Sequence, residues 1–359
     1  MIRIKDSVIQ LPAYEVPQEA RIKLNQNESP FDIPLEYKKE IANRLIRLSW
    51  NRYPSNELLS LKKSLSRYTD FPVEGIIIGN GSNELILAII LACCDKGDTV
   101  TLITPGFAIY PYLSKIMNLK IKEVRLKEDF SFDVEGLCRN AYNSRITFIA
   151  SPNNPTGTAI SIDGIEEVVK MKKSIVVIDE AYFEFHGLTA QQLLNKYENL
   201  LVLRTFSKAF GLAGIRLGYL LAQPEIARQI VKAKLPFSVG IFQQVAGDYL
   251  LNKRRFVKIV VDKIVKERQR VFRELEVIPQ ISPVPSRANF ILFKIKNHSA
   301  ESLFERLYKK GVLLRNFSNP ILKDMLRVTI GKPEENDTFL KNLNQILKKG
   351  VQDAKRGDR

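Results

Sequence analysis

Lys208 lies in Thr205-Phe-Ser-Lys-Ala-Phe-Gly211, directly after the apolar run Asn199–Arg204. That run reads as a strand, so the lysine sits just past a strand's carboxyl end, where open α/β sheets bind ligands. A lone lysine in such a place is usually only solvated, so its neighbours decide. In Val176-Val-Ile-Asp-Glu-Ala-Tyr182 a second hydrophobic run ends on Asp179. A buried acid is costly unless paired. The protonated nitrogen of a pyridine ring would pair it, and the acid would keep that ring cationic, hence an electron sink. The segment alone is equally an N-cap aspartate. Tyr182 can reach the same cleft. Ser151-Pro-Asn-Asn-Pro-Thr-Gly157 also follows a strand. Its prolines and glycine fix a loop, from which Asn154 can donate to a phenolate-like oxygen. Gly79-Asn-Gly-Ser-Asn-Glu84 precedes a helix, and free N–H groups at a helix start bind phosphate. Ser207 and Arg216 are further phosphate ligands on offer.

These residues need a scaffold that gathers strand ends. The first ~30 residues, with Pro12, Pro17 and Pro30, read as irregular. From Asn83 onward helical and strand-like segments alternate. Asn83–Cys94 is expected to be a buried helix. Strands are expected at Thr99–Ile103, Ile121–Leu126, Arg145–Ala150, Ser174–Ile178, Leu200–Leu203 and Leu217–Leu221, with a helix at Ile162–Lys172. Such alternation implies a doubly wound, mainly parallel sheet. After about residue 235 the pattern becomes α+β. Helices are expected at Asp262–Leu275, Ala300–Lys309 and Glu334–Lys348, and strands at Phe290–Lys294, Val312–Leu314 and Leu326–Ile330. The tail from Lys348 is expected to fray. The expected division is an N-terminal arm (1–30), a large domain (31–260) and a small C-terminal domain (261–359).

Composition sets the outer bounds. The 359 residues are 45% hydrophobic and 26% charged, ordinary for a globular chain, and the length suggests about two domains. Cys93, Cys94 and Cys138 are an odd set with no disulfide or zinc spacing, which fits a reducing cytoplasm. The N-terminus lacks the apolar run of a signal peptide. The longest apolar stretch, Leu85–Cys94, is too short to span a bilayer. His186 and His298 have no metal spacing and read as structural. The net charge of +16 is spread out and reads as a lysine-rich surface; no helix-turn-helix or zinc-finger spacing accompanies it. No nucleic acid, membrane or metal is expected as a partner.

Taken together, Asn-Asn-Pro-Thr-Gly, Asp-Glu-Ala-Tyr and Ser-Lys with Arg216 eight residues later resemble the fold-type I pyridoxal-phosphate (PLP) aminotransferases. Within that group the chain resembles the histidinol-phosphate aminotransferase family. Leu24-Asn-Gln-Asn-Glu-Ser-Pro30, Asn51-Arg-Tyr-Pro54, Glu180-Ala-Tyr-Phe-Glu-Phe-His-Gly187, Ala288-Asn-Phe290 and Leu326-Arg-Val-Thr-Ile-Gly331 carry that likeness. The resemblance implies an α/β enzyme that transaminates histidinol phosphate with 2-oxoglutarate, in histidine biosynthesis. It implies that Lys208 carries PLP as a Schiff base and shuttles a proton. It implies that Asp179 holds the ring nitrogen protonated, that Asn154 and Tyr182 bond the ring oxygen, and that Tyr110 stacks on the ring. Ser82, Asn83, Thr205, Ser207 and Arg216 would hold the phosphate. Tyr53 would reach the phosphate of the neighbouring subunit of a homodimer. Arg315 and Arg327, with Tyr14, would grip substrate anions; an ion pair or a surface position is the plainer reading of each arginine. Glu180 reads as a solvated or strand-end charge.

Two segments depart from the family pattern. Pro105-Gly-Phe107 stands where Pro-Thr-Phe or Pro-Thr-Tyr is usual, and Ser238 stands where asparagine is usual. Both are closer to threonine-phosphate decarboxylase, the alternative reading beside an aromatic or general aminotransferase.

Overall fold

The computed structural model describes residues 4–12 and 19–357, and the side chains as far as residue 348. Among the described residues twelve strands form three sheets. They are β1 (Ile22–Lys23), β2 (Ile76–Gly79), β3 (Thr99–Thr104), β4 (Lys120–Arg125), β5 (Ile146–Ala150), β6 (Ile175–Asp179), β7 (Leu200–Thr205), β8 (Gly218–Leu221), β9 (Ile281–Pro283), β10 (Phe290–Ile295), β11 (Val312–Leu313) and β12 (Met325–Thr329). The main sheet has the order β2-β8-β7-β6-β5-β3-β4. β3 to β7 are mutually parallel, whereas β8 runs antiparallel to both β7 and β2.

The central strands β5, β6 and β7 are continuous apolar runs because helices cover both faces. Leu201 and Leu203 of β7 face helix Gly81–Cys93, while Leu200 and Val202 face the opposite core. β4, Lys-Ile-Lys-Glu-Val-Arg, closes one edge with charges, which discourages pairing with another chain. The other edge is β2, whose triplet Ile76-Ile-Ile was too short to stand out as a strand. Helices Leu35–Ile46 and Leu59–Thr69 precede it.

The C-terminal region builds the antiparallel sheet β12-β10-β9 with helices Arg254–Glu276, Ala300–Lys309 and Pro333–Gly357. Residue 260 falls inside the first of these helices. The last runs on to Gly357, past the expected end at Lys348. The N-terminal arm is less irregular than its prolines suggest. It has a short helix, Asp6–Ile9, and its β1 pairs in parallel with β11. The Thr329 amide also donates to the Leu24 carbonyl at 2.9 Å. The arm is therefore fastened to the small sheet, and residues 25–27 enter the cleft between sheets.

Among the described residues no helix is long and apolar enough to cross a membrane. No group of three or more His, Cys, Asp or Glu among them is arranged to hold a metal ion.

Candidate active site

Strand polarity gathers the site. Ala150, Asp179 and Leu203 are cross-strand neighbours on β5, β6 and β7. Parallel strands put their carboxyl ends at one edge, so Asn154, Asp179 and Lys208 leave the sheet side by side. Antiparallel β8 begins where its neighbours end, with Gly79 opposite Gly218 and Gly218 opposite Thr205. Arg216, two residues before Gly218, is thereby delivered to the same edge.

Here a cup forms. Thr205 Oγ1 donates to Ser207 Oγ at 3.0 Å, and Arg216 Nη1 donates to the same Ser207 oxygen at 3.2 Å. Helix Gly81–Cys93 points its start at this cluster, with Ser82 half-buried and Asn83 exposed. Close approach requires glycine at two positions. A Cβ on Gly218 would lie 2.6 Å from the Ser82 amide nitrogen. A Cβ on Gly81, whose φ is +75°, would lie 2.6 Å from Arg216 Nη2. Hydroxyls, a guanidinium and free helix N–H groups form a seat for a phosphate.

Asp179 is 4% exposed. Its Oδ2 accepts from the Tyr110 hydroxyl at 2.6 Å and its Oδ1 from the Ala181 amide at 3.0 Å. Burial raises its pKa to about 6, and these two hydrogen bonds oppose the rise. An ionised carboxylate has about four acceptor sites, so Asp179 retains room for one more donor. The half-buried Lys208 donates from Nζ to the Gln26 carbonyl at 2.9 Å. Burial, then the positive charges of Arg327, Arg216 and Lys23, lower its pKa to about 8, with Glu28 opposing. Near neutral pH this amine is far easier to deprotonate than an ordinary lysine.

Across the cleft, buried Arg327 donates from Nη2 to the Asn25 carbonyl at 2.6 Å and from Nη1 to Asn154 Oδ1. Arg315 pairs with it backbone to backbone, each amide donating to the other's carbonyl at 3.0 Å. Tyr182 is buried and accepts a hydrogen bond from Asn27 Nδ2 at 2.9 Å. Asn27 is further held by Thr329 Oγ1, at 2.9 Å from its amide, and by Asn289, which donates to its carbonyl at 3.0 Å. Asn25 is 1% exposed, with neither side-chain polar atom partnered. The polar roles of Gln26, Asn27, Asn289 and Thr329 were not derivable from their positions in the sequence. Their only signal was the concentration of amides in Leu24-Asn-Gln-Asn-Glu.

The structure corrects one expectation. Glu180 is not a solvated charge; it is buried and pairs with buried Arg204 at 3.0 Å. Arg204 also lies 3.7 Å from the centre of the Phe183 ring. Tyr110 is buried, stacked on Phe148 with centroids 4.9 Å apart, and its hydroxyl donates to Asp179. Tyr53 stands apart from the cup, 82% exposed and stacked on Phe237. Tyr14 lies outside the described residues.

With these positions fixed, similarity to other proteins becomes informative. The chain is 39% identical over 330 residues to the histidinol-phosphate aminotransferase of Thermoanaerobacter pseudethanolicus, covering 91% of this chain and 93% of that one. It is also 39% identical over 326 residues to that of Thermococcus gammatolerans, covering 91% and 92%. The crystal structure of the histidinol-phosphate aminotransferase from Clostridium acetobutylicum superposes with a TM-score of 0.85 at 27% identity, over 90% of this chain and 98% of that one. The Sinorhizobium meliloti enzyme, solved with pyridoxal-5'-phosphate, gives 0.89 at 24% identity, over 97% and 98%, and shows the shared fold. The family model "Aminotransferase class I and II" matches residues 19–343, and the chain belongs to that family.

Proposed function

We propose that the cleft holds pyridoxal 5'-phosphate and that the protein transfers the amino group of histidinol phosphate to 2-oxoglutarate. The observation that carries the reading is a half-buried lysine of lowered pKa at the same sheet edge as a buried carboxylate and a phosphate seat. The residues fit the cofactor on physical grounds. A Cβ at Gly81 or Gly218 would fill the cup, Asp179 has acceptor capacity left, and the buried amide of Asn25 lacks partners. When bound, the cofactor supplies an electron-withdrawing ring that stabilises negative charge at the substrate's Cα.

The chain's own residues do the rest. Lys208 Nζ would hold the cofactor and, as a neutral amine, would move the Cα proton. Asp179 holds positive charge on the ring nitrogen. Asn154 and Tyr182 hydrogen-bond the ring oxygen. Ser82, Asn83, Thr205, Ser207 and Arg216 hold the phosphate. Arg315 and Arg327 grip the phosphate of the donor, then the carboxylate of the oxo acid, both anions suiting a guanidinium fork. The curated relatives at 39% identity support histidinol phosphate as donor.

Mixing loaded protein with histidinol phosphate, without oxo acid, is expected to replace the visible absorbance of the lysine-bound cofactor by that of the aminated cofactor. No spectral change would refute this donor. Release of carbon dioxide from threonine phosphate would favour the decarboxylase instead.

The working unit of this reading is a cytoplasmic homodimer in which Tyr53 reaches the partner's phosphate seat. Tyr53, Trp50 and Leu235 are 82%, 72% and 72% exposed, an apolar set that a second copy would cover. The odd cysteine count suits the compartment. Light scattering is expected to give twice the 41.0 kDa chain mass; a monomer at working concentration would refute the shared site.

A further inference from the structure

The Tyr110 hydroxyl points at Asp179, and its ring is committed elsewhere. The side chain is 3% exposed, stacked on Phe148 at an interplanar angle of 13°. Phe107, half-buried, packs edge-on against it at 5.4 Å. Oδ1 of Asp179 is fixed by the Ala181 amide and Oδ2 by Tyr110, so the phenol sets the rotation of the carboxylate. We propose that Tyr110 is a positioning residue that acts through Asp179, holding the carboxylate ionised and aimed at the cofactor's ring nitrogen. The inference rests on the reading that Asp179 meets that nitrogen.

Physical chemistry supports the assignment. A buried carboxylate tends to take up a proton, and a hydrogen bond donated to its charged form opposes this. The charged and titratable groups facing Asp179 come from three places. Tyr110 lies beyond β3, Glu180 and Tyr182 are on its own segment, and Lys208 lies beyond β7. Of these, Tyr110 is hydrogen-bonded to the carboxylate. Burial and the neighbouring Asp179 hold the Tyr110 pKa well above the ordinary range, so the phenol remains a donor wherever the enzyme works.

Tyr110→Phe removes one oxygen and leaves the ring on Phe148. Titrating cofactor-free protein with pyridoxal phosphate is expected to show about tenfold weaker binding, the scale of a hydrogen bond to a charged group. The pH midpoint of the loaded protein's visible absorbance is expected to move up, because a less cationic ring leaves the Lys208 nitrogen more basic. Tyr110→His keeps a ring donor and is expected to recover part of that shift; behaviour identical to Tyr110→Phe would overturn the proposal. Wild-type affinity and midpoint in Tyr110→Phe would overturn the inference if Asp179→Asn alters both. If Asp179→Asn alters neither, the reading of Asp179 itself fails.

Discussion

Lys208→Ala is expected to bring transamination to a halt, with kcat falling by about 10⁴-fold, the upper range for removing a positioned acid–base group. The variant should still bind the cofactor through the Thr205, Ser207 and Arg216 cup, so loss of turnover and loss of loading can be separated by absorbance. Substantial turnover would remove Lys208 from the mechanism. The same residue has a thermodynamic signature. Its pKa of about 8 in the fold lies below the 10.5 of a free lysine. Between those values the unfolded chain binds more protons than the folded one. Stability of the cofactor-free protein should therefore rise with pH across that window. The cost of the charged amine is present in full below pH 8 and relieved as pH rises through the window. The difference in melting temperature between wild type and Lys208→Ala, followed against pH, measures it. A flat difference would contradict the burial of the amine.

Arg327→Ala is expected to lower kcat/KM by about 10³-fold for both substrates, since two charge-assisted hydrogen bonds to an anion are worth roughly 1.5–3 kcal/mol each. The loss should be shared by donor and oxo acid if, as proposed, one guanidinium meets both anions. Cofactor affinity should change little, as Arg327 is not part of the cup around Ser207. Arg327→Lys should rescue poorly. In the fold the guanidinium spans from the Asn25 carbonyl to Asn154 Oδ1, and an ammonium cannot reproduce that planar fork. Steady-state kinetics with each substrate varied in turn decides it. Near-wild-type kcat/KM for either substrate would show that its anion is held elsewhere.

The chemistry of this chain was legible where it coincides with strand ends. Asp179, Asn154 and Lys208 each follow a buried apolar run, and such runs can be read because a sheet covered on both faces tolerates little else. Parallel order then forces their carboxyl ends onto one edge, so the sequence by itself determined Lys208, Asp179 and Asn154 as neighbours. The antiparallel insertion of β8, which delivers Arg216, and the edge strand Ile76–Gly79 were not legible. Four residues of strand carry too little pattern.

What the tertiary structure alone decided is who holds these groups. The Tyr110 hydroxyl meets Asp179 across 69 residues, the Gln26 carbonyl meets Lys208 across 182, and Asn27 meets Thr329 across 302. No local spacing encodes such pairs. The last two arise only when the β1 arm docks on the small sheet, and all three join buried donors that each need a partner. For the same reason Tyr110, whose residue type and position equally allowed a stacking ring, became a hydrogen-bond donor. Packing on Phe148 occupied its face and left its hydroxyl 2.6 Å from a buried carboxylate.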